Sequence, residues 1–223
     1  MIVQIYTLQS VEEALEVESV GVHNIGLAPA SIGLPGEISY ETAKSICDEV
    51  QNSKTVALSV SNNIEEIIEM VMFVKPDILH LCGEPGELNA SRVKILRDRL
   101  QSIDKGIPIM QAISVEDMSA VEFAKEYEDV SDYFILDTST SLVQGVGASG
   151  KVHDWNVSKA IVDSVKIPVI LAGGLSPENV RDAIEKVKPW GVDSLTHTNK
   201  ILDNGDFVKD ITKVRKFFKN ATG

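Results

Sequence analysis

Pro168-Val-Ile-Leu-Ala-Gly-Gly-Leu-Ser-Pro-Glu-Asn-Val180, running on to Gly191-Val192-Asp193, reads as a buried strand, a glycine pair, a helix and a second strand. Val169 to Ala172 is wholly apolar, which suits a parallel strand covered on both faces. Gly173 and Gly174 bring backbone close to a ligand with no Cβ in the way, and Ser176-Pro177 offers an N-cap followed by proline at the first helical position. The free N–H groups of such a helix start attract an anion, so the segment is predicted to cradle phosphate. A Gly-Gly pair alone is as often a plain turn; its place between strand and helix gives it weight.

Outward from this segment, the same alternation of short apolar runs and amphipathic stretches recurs along the chain. The predicted strands are 2–6, 24–28, 55–60, 78–82, 107–112, 133–137, 168–172 and 194–198, with helices over 11–20, 39–50, 64–74, 91–102, 114–126, 156–164, 177–187 and 207–218. Eight βα units close most simply into a (β/α)8 TIM barrel, one domain spanning residues 1–223. An open doubly wound sheet is disfavoured, because no Gly-x-Gly-x-x-Gly follows the first strand.

The chain has 223 residues, 43% hydrophobic content and a formal net charge of −12. A balance this acidic repels nucleic acid and anionic membranes, so neither is expected as a partner. No apolar run reaches the roughly 18 residues of a membrane span, and no leader-like segment opens the sequence, so a cytoplasmic location is expected. Cys47 and Cys82 have neither the spacing of a metal pair nor the setting of a disulfide. The expected partner is a phosphorylated small-molecule substrate, with no cofactor and no metal, and the protein itself a monomer or homodimer.

In a barrel of this kind the residues ending each strand share one mouth, where chemistry is sought. Those positions include Tyr6, His80, Cys82, Ser114, Asp137, Gly173, Gly174, His197 and Thr198. His80 and Cys82 have the same parity on one strand and point to the same side.

Four stretches carry a resemblance: Leu136-Asp137, Gly147-Ala-Ser-Gly150-Lys-Val-His-Asp-Trp155, Leu171-Ala-Gly-Gly-Leu-Ser-Pro-Glu-Asn-Val180 and Gly191-Val-Asp193. In order and spacing they resemble the phosphoribosylanthranilate isomerase family. The resemblance implies an Amadori rearrangement in tryptophan biosynthesis, in which an acid opens a furanose ring and a base then removes a proton from the adjacent carbon. It implies Asp137 as the acid. It also implies phosphate binding by Gly173, Gly174 and Gly150, with His80, His197 and Thr198 as further substrate-binding candidates.

The base departs from the family pattern. The family's Lys-Ile-Cys-Gly is here Gln4-Ile5-Tyr6-Thr7, which puts a phenol where the family has its basic thiol, and Gln-Leu-His-Gly becomes His80-Leu81-Cys82-Gly83. Tyr6 and Cys82 are therefore both candidates for the base. The family's carboxylate-gripping arginine falls at Gly36, and a serine-glycine turn on the eighth strand becomes Thr196-His197. Two other readings stay open: a metal-dependent sugar-phosphate epimerase or lyase using His80, Cys82, Asp137 and His197, and a binding protein that holds a small ligand without turnover.

Overall fold

Strands buried on both faces need helices covering the sheet, and the computed structural model has that form, with the sheet also closed on itself. It describes residues 1–83, 87–103, 106–138 and 153–223. Eight parallel strands form the closed barrel: β1 (Ile2–Ile5), β2 (Asn24–Leu27), β3 (Lys54–Ser59), β4 (Ile78–Leu81), β5 (Ile109–Ser114), β6 (Tyr133–Asp137), β7 (Val169–Leu171) and β8 (Gly191–Ser194). The helices are α1 (Val11–Glu18), α2 (Tyr40–Glu49), α3 (Ile64–Val74), α4 (Ala90–Ile103), α5 (Ser119–Tyr127), α6 (Trp155–Ser164), α7 (Val180–Val187) and α8 (Ile211–Thr222). A small antiparallel pair, β9 (Asn199–Ile201) and β10 (Phe207–Lys209), lies between β8 and α8.

Capping fixes many of the helix starts. Ser10, Ser39, Asn63, Asp154 and Asp210 each accept a first-turn backbone N–H with the side chain. Such caps satisfy donors that a helix cannot satisfy internally. One face of every strand packs outward on the helices, in a core that includes Val3, Ile25, Leu79, Phe134, Leu171 and Val192.

The other face fills the lumen. Followed from strand to strand, the registers accumulate a stagger of eight residues per circuit, the shear that lets side chains from alternate strands stack in layers. Gln4, Val56, Met110 and Ile170 share a layer deep in the barrel. Above them come Gly26, His80, Ile135 and Asp193, then Tyr6, Leu58, Ala112 and Ala172. At the mouth stand Ala28, Cys82, Asp137 and Leu195.

The fold departs from the predicted boundaries in informative places. The helix expected from Pro177 begins at Val180, because residues 176–179 form a turn in which Ser176 Oγ accepts the Glu178 N–H and Asn179 Oδ1 accepts that of Ser176. The strand expected at 194–198 ends at Ser194, where its pairing with Ile5 ends, and Thr196–Thr198 is a short 3-10 helix. Ser114, expected to open a helix, is the last residue of β5, opposite Asp137.

Candidate active site

Asp137 ends β6 on the lumen face, at the rim of the mouth. Burial lifts its carboxyl to about 7, although the Thr138 N–H, 2.7 Å from Oδ1, pulls the other way. A carboxylic acid in that range carries a proton part of the time at neutral pH, which is what proton donation requires. Beside it, Ser114 Oγ is buried with no partner among the described residues.

Tyr6 lies in the layer below, its ring laid across Gly26 of β2. A Cβ at Gly26 would come within 2.5 Å of Tyr6 Cγ and Cδ2. The phenol meets His80 across the lumen, with Oη 2.7 Å from Nδ1 and the rings edge-on at 5.5 Å. Burial first, then the charges of Asp193 and Cys82, push the Tyr6 phenol well above its usual range. Burial drops the His80 imidazole to about 3. Both groups are therefore neutral, and the phenol, the better acid, donates to Nδ1. That leaves the ring proton on His80 Nε2, which is buried in the lumen with no partner among the described residues. The phenol at the position of the family's thiol thus holds its proton tightly.

Asp193 anchors a polar row beneath the site: Gln4 Nε2 donates to its Oδ1 at 3.1 Å, and Asn24 Nδ2 donates to Gln4 Oε1 at 3.1 Å. Burial, followed by the charge of Asp137, raises Asp193 to about 7. Because an unfolded aspartate titrates near about 3.9, the native state holds a proton that the unfolded chain has released between that pH and about 7. Stability contributed by protonated Asp193 is thus lost as pH rises through this window. Asp193→Asn is expected to be roughly 2 kcal/mol more stable than the parent at pH 8, with the gap closing by pH 4. Urea melts across that range check it, and a gap independent of pH would refute it.

Cys82 is buried in the same layer as Asp137. The glycine pair is less open than the sequence implies. Gly173 has φ +76°, and a Cβ there would meet His153 Nδ1 at 2.6 Å and Thr138 Oγ1 at 2.7 Å. His153 Nε2 in turn bonds Ser158 Oγ at 2.6 Å. The space above Gly173 thus belongs to two side chains of this chain, while Gly174 is also left-handed, at φ +69°.

Thr198 is fully buried and its hydroxyl donates to the Leu195 carbonyl at 2.9 Å, so it does not offer that group to a ligand. His197 is exposed on the 3-10 helix beyond β8. Gly150 lies outside the described residues. Among the described residues no three His, Cys, Asp or Glu side chains converge as metal ligands, so His80, Cys82, Asp137 and His197 do not form the set the metal reading needs.

Ser114 reads from the sequence as a strand end at the mouth, and the structure puts it there. Lys209 escaped the sequence reading: its Nζ, 2.6 Å from Asn199 Oδ1 and 3.3 Å from Thr7 Oγ1, ties β10 to the end of β1. Burial draws this amine down to about 7 against the charges of Glu13 and Asp193.

A titrating carboxyl at the rim of a closed eight-stranded barrel, above a lumen lined with polar groups, defines a barrel enzyme whose chemistry sits at the C-terminal ends of the strands. The chain belongs to the N-(5'-phosphoribosyl)anthranilate isomerase family, whose sequence profile matches residues 3–220. It is 30% identical over 224 residues to the N-(5'-phosphoribosyl)anthranilate isomerase of Methanocaldococcus jannaschii, covering 93% of this chain and 91% of that one. The phosphoribosyl anthranilate isomerase of Thermotoga maritima superposes with a TM-score of 0.79 at 29% identity, covering 100% of both chains. A crystal structure of such an isomerase in complex with reduced 1-(o-carboxyphenylamino)-1-deoxyribulose 5-phosphate superposes with a TM-score of 0.76 at 26% identity, again over 100% of both chains. No helix among the described residues is long and apolar enough to cross a membrane.

Proposed function

We propose that this chain performs an Amadori-type aldose–ketose isomerisation on a phosphorylated sugar carrying a nitrogen substituent, the phosphoribosylanthranilate step of tryptophan biosynthesis being the reference reaction. Asp137, protonated, gives its proton to the furanose ring oxygen, and the C–O bond opens to an iminium. The carboxylate so formed then takes the proton from the adjacent carbon, leaving an enolamine that tautomerises to the ketose. One carboxyl acts as acid and then as base, and it ends the cycle as it began.

The observation that carries this reading is Asp137 itself, a lumen-facing carboxyl at the rim of the mouth with a proton affinity near neutrality. Tyr6 keeps its proton and, by donating its hydrogen bond to His80 Nδ1, orients the imidazole so that its Nε2–H is the group left to donate to a substrate oxygen. Cys82 lines the same layer as a small wall residue. Phosphate is held near Gly174 at the β7 end.

Turnover in deuterated water tests the scheme. Ribose 5-phosphate N-glycosides of arylamines are expected to give ketose product with solvent deuterium at C1, the carbon bonded to nitrogen, where the enolamine is protonated as the carbon that lost its proton becomes the ketone. Absence of both product and exchange from folded protein would refute it. A Cys82→Ala variant that loses as much rate as one lacking Asp137 would move the base role to the thiol.

A further inference from the structure

Above the ends of β2 and β3 the mouth opens into a cleft of about 630 Å³. Its walls mix apolar side chains, Pro29, Leu34, Leu58, Val60 and Met70 among them, with serines and Asn62, and among the described residues no lysine or arginine lines it. Its charged groups are Glu41, Glu66 and Glu69. The nearest guanidinium at its edge, Arg92, spends donors on the carbonyls of Asn62, at 2.8 Å, and Glu87, at 3.1 Å.

Two features of the β2–α2 loop close the usual ways of holding an anion here. Successive N–H groups of Ile32, Gly33 and Leu34 converge as an anion nest, but Glu37 Oε2 already occupies it, 2.9 Å from each nitrogen. These bonds hold the Glu37 carboxyl below its ordinary range, so it stays ionised in the nest. The second feature is Gly36, which has φ +69°. A Cβ there would come within 2.7 Å of Phe207 Cζ and 3.0 Å of Thr7 Cβ, so the loop has no room at that position for an anion-gripping side chain.

We infer that this cleft selects an uncharged aryl or alkyl substituent on the nitrogen of the sugar phosphate and rejects a carboxylated one. The inference rests on the isomerase reading for where the substrate's reacting end sits. The apolar wall gains from covering a hydrocarbon group. A carboxylate in the same place gives up water, finds no cation among the described residues lining the cleft, meets a nest that Glu37 already fills, and faces three carboxylates of the protein.

The test compares stable reduced ligands by calorimetry on the full chain: 1-anilino-, 1-(o-carbamoylphenylamino)- and 1-(o-carboxyphenylamino)-1-deoxyribitol 5-phosphate. The anilino and carbamoyl compounds are expected to bind more than about tenfold tighter than the carboxy compound. Equal or tighter binding of the carboxy compound would overturn the inference, as would failure of all three to bind at millimolar concentration. The same three arylamines, offered as N-glycosides of ribose 5-phosphate, separate the two claims. The expected binding order without turnover of any of them would sink the isomerase reading and leave the cleft's preference standing.

Discussion

Asp137→Asn is expected to lose roughly a thousandfold or more in kcat with little change in KM, because the amide still fills the rim but neither gives nor takes the proton. Folding is not at risk. The substitution removes a carboxyl whose ionisation is opposed by burial, so above pH 7 the variant is expected to melt no lower than the parent. That separates a chemical loss from a structural one. The parent's pH profile gives an independent check. Ring opening needs the protonated acid, and the carboxyl titrates at about 7, so kcat/KM is expected to fall as pH rises through that value. A variant that keeps a tenth of the parent's rate, or a profile that rises through pH 7, would move the acid role elsewhere, with Asp193 the next group to test.

The barrel was legible because its strands announce themselves locally. Tyr133–Asp137 and Ile64–Val74 end where the sequence says they end. In the second case Asn63 caps the start and Lys75 turns left-handed at the close. Asp137 was legible for the same reason: alternation along β6 puts it on the face of Ile135. What sequence could not reveal were meetings between strands far apart in order. Parity put His80 and Cys82 on one side of β4, but nothing local said that the imidazole would face the phenol of Tyr6, 74 residues away. Gly173 shows the same limit from another side. The need for glycine was readable, yet the reason is the close approach of His153 and Thr138, and neither side chain is near it in sequence. The Asn199–Lys209 hairpin was missed because β10 is short and amphipathic, and it runs almost directly into α8.

The Tyr6 ring and Gly26 form a matched pair, and this yields the second large effect. An alanine at position 26 places its Cβ within 2.7 Å of three ring carbons, inside any tolerable contact. The ring has little freedom to yield, because its hydroxyl is bonded to His80 and it is 5% exposed. Gly26→Ala is therefore expected to cost about 2–3 kcal/mol by overpacking. Tyr6→Cys, which restores the thiol of the family pattern, is expected to cost about 3 kcal/mol by itself, since it leaves a cavity and removes the partner of His80 Nδ1. The double variant decides between a specific steric match and a strand that merely prefers glycine. With the ring gone, the added methyl occupies vacated space, so the pair is expected to fall short of additivity by more than about 1 kcal/mol. Chemical denaturation of the parent, both single variants and the double variant measures this coupling. Additive costs would mean that Gly26 is required by its own backbone or by β3, and that Tyr6 is not pinned against it.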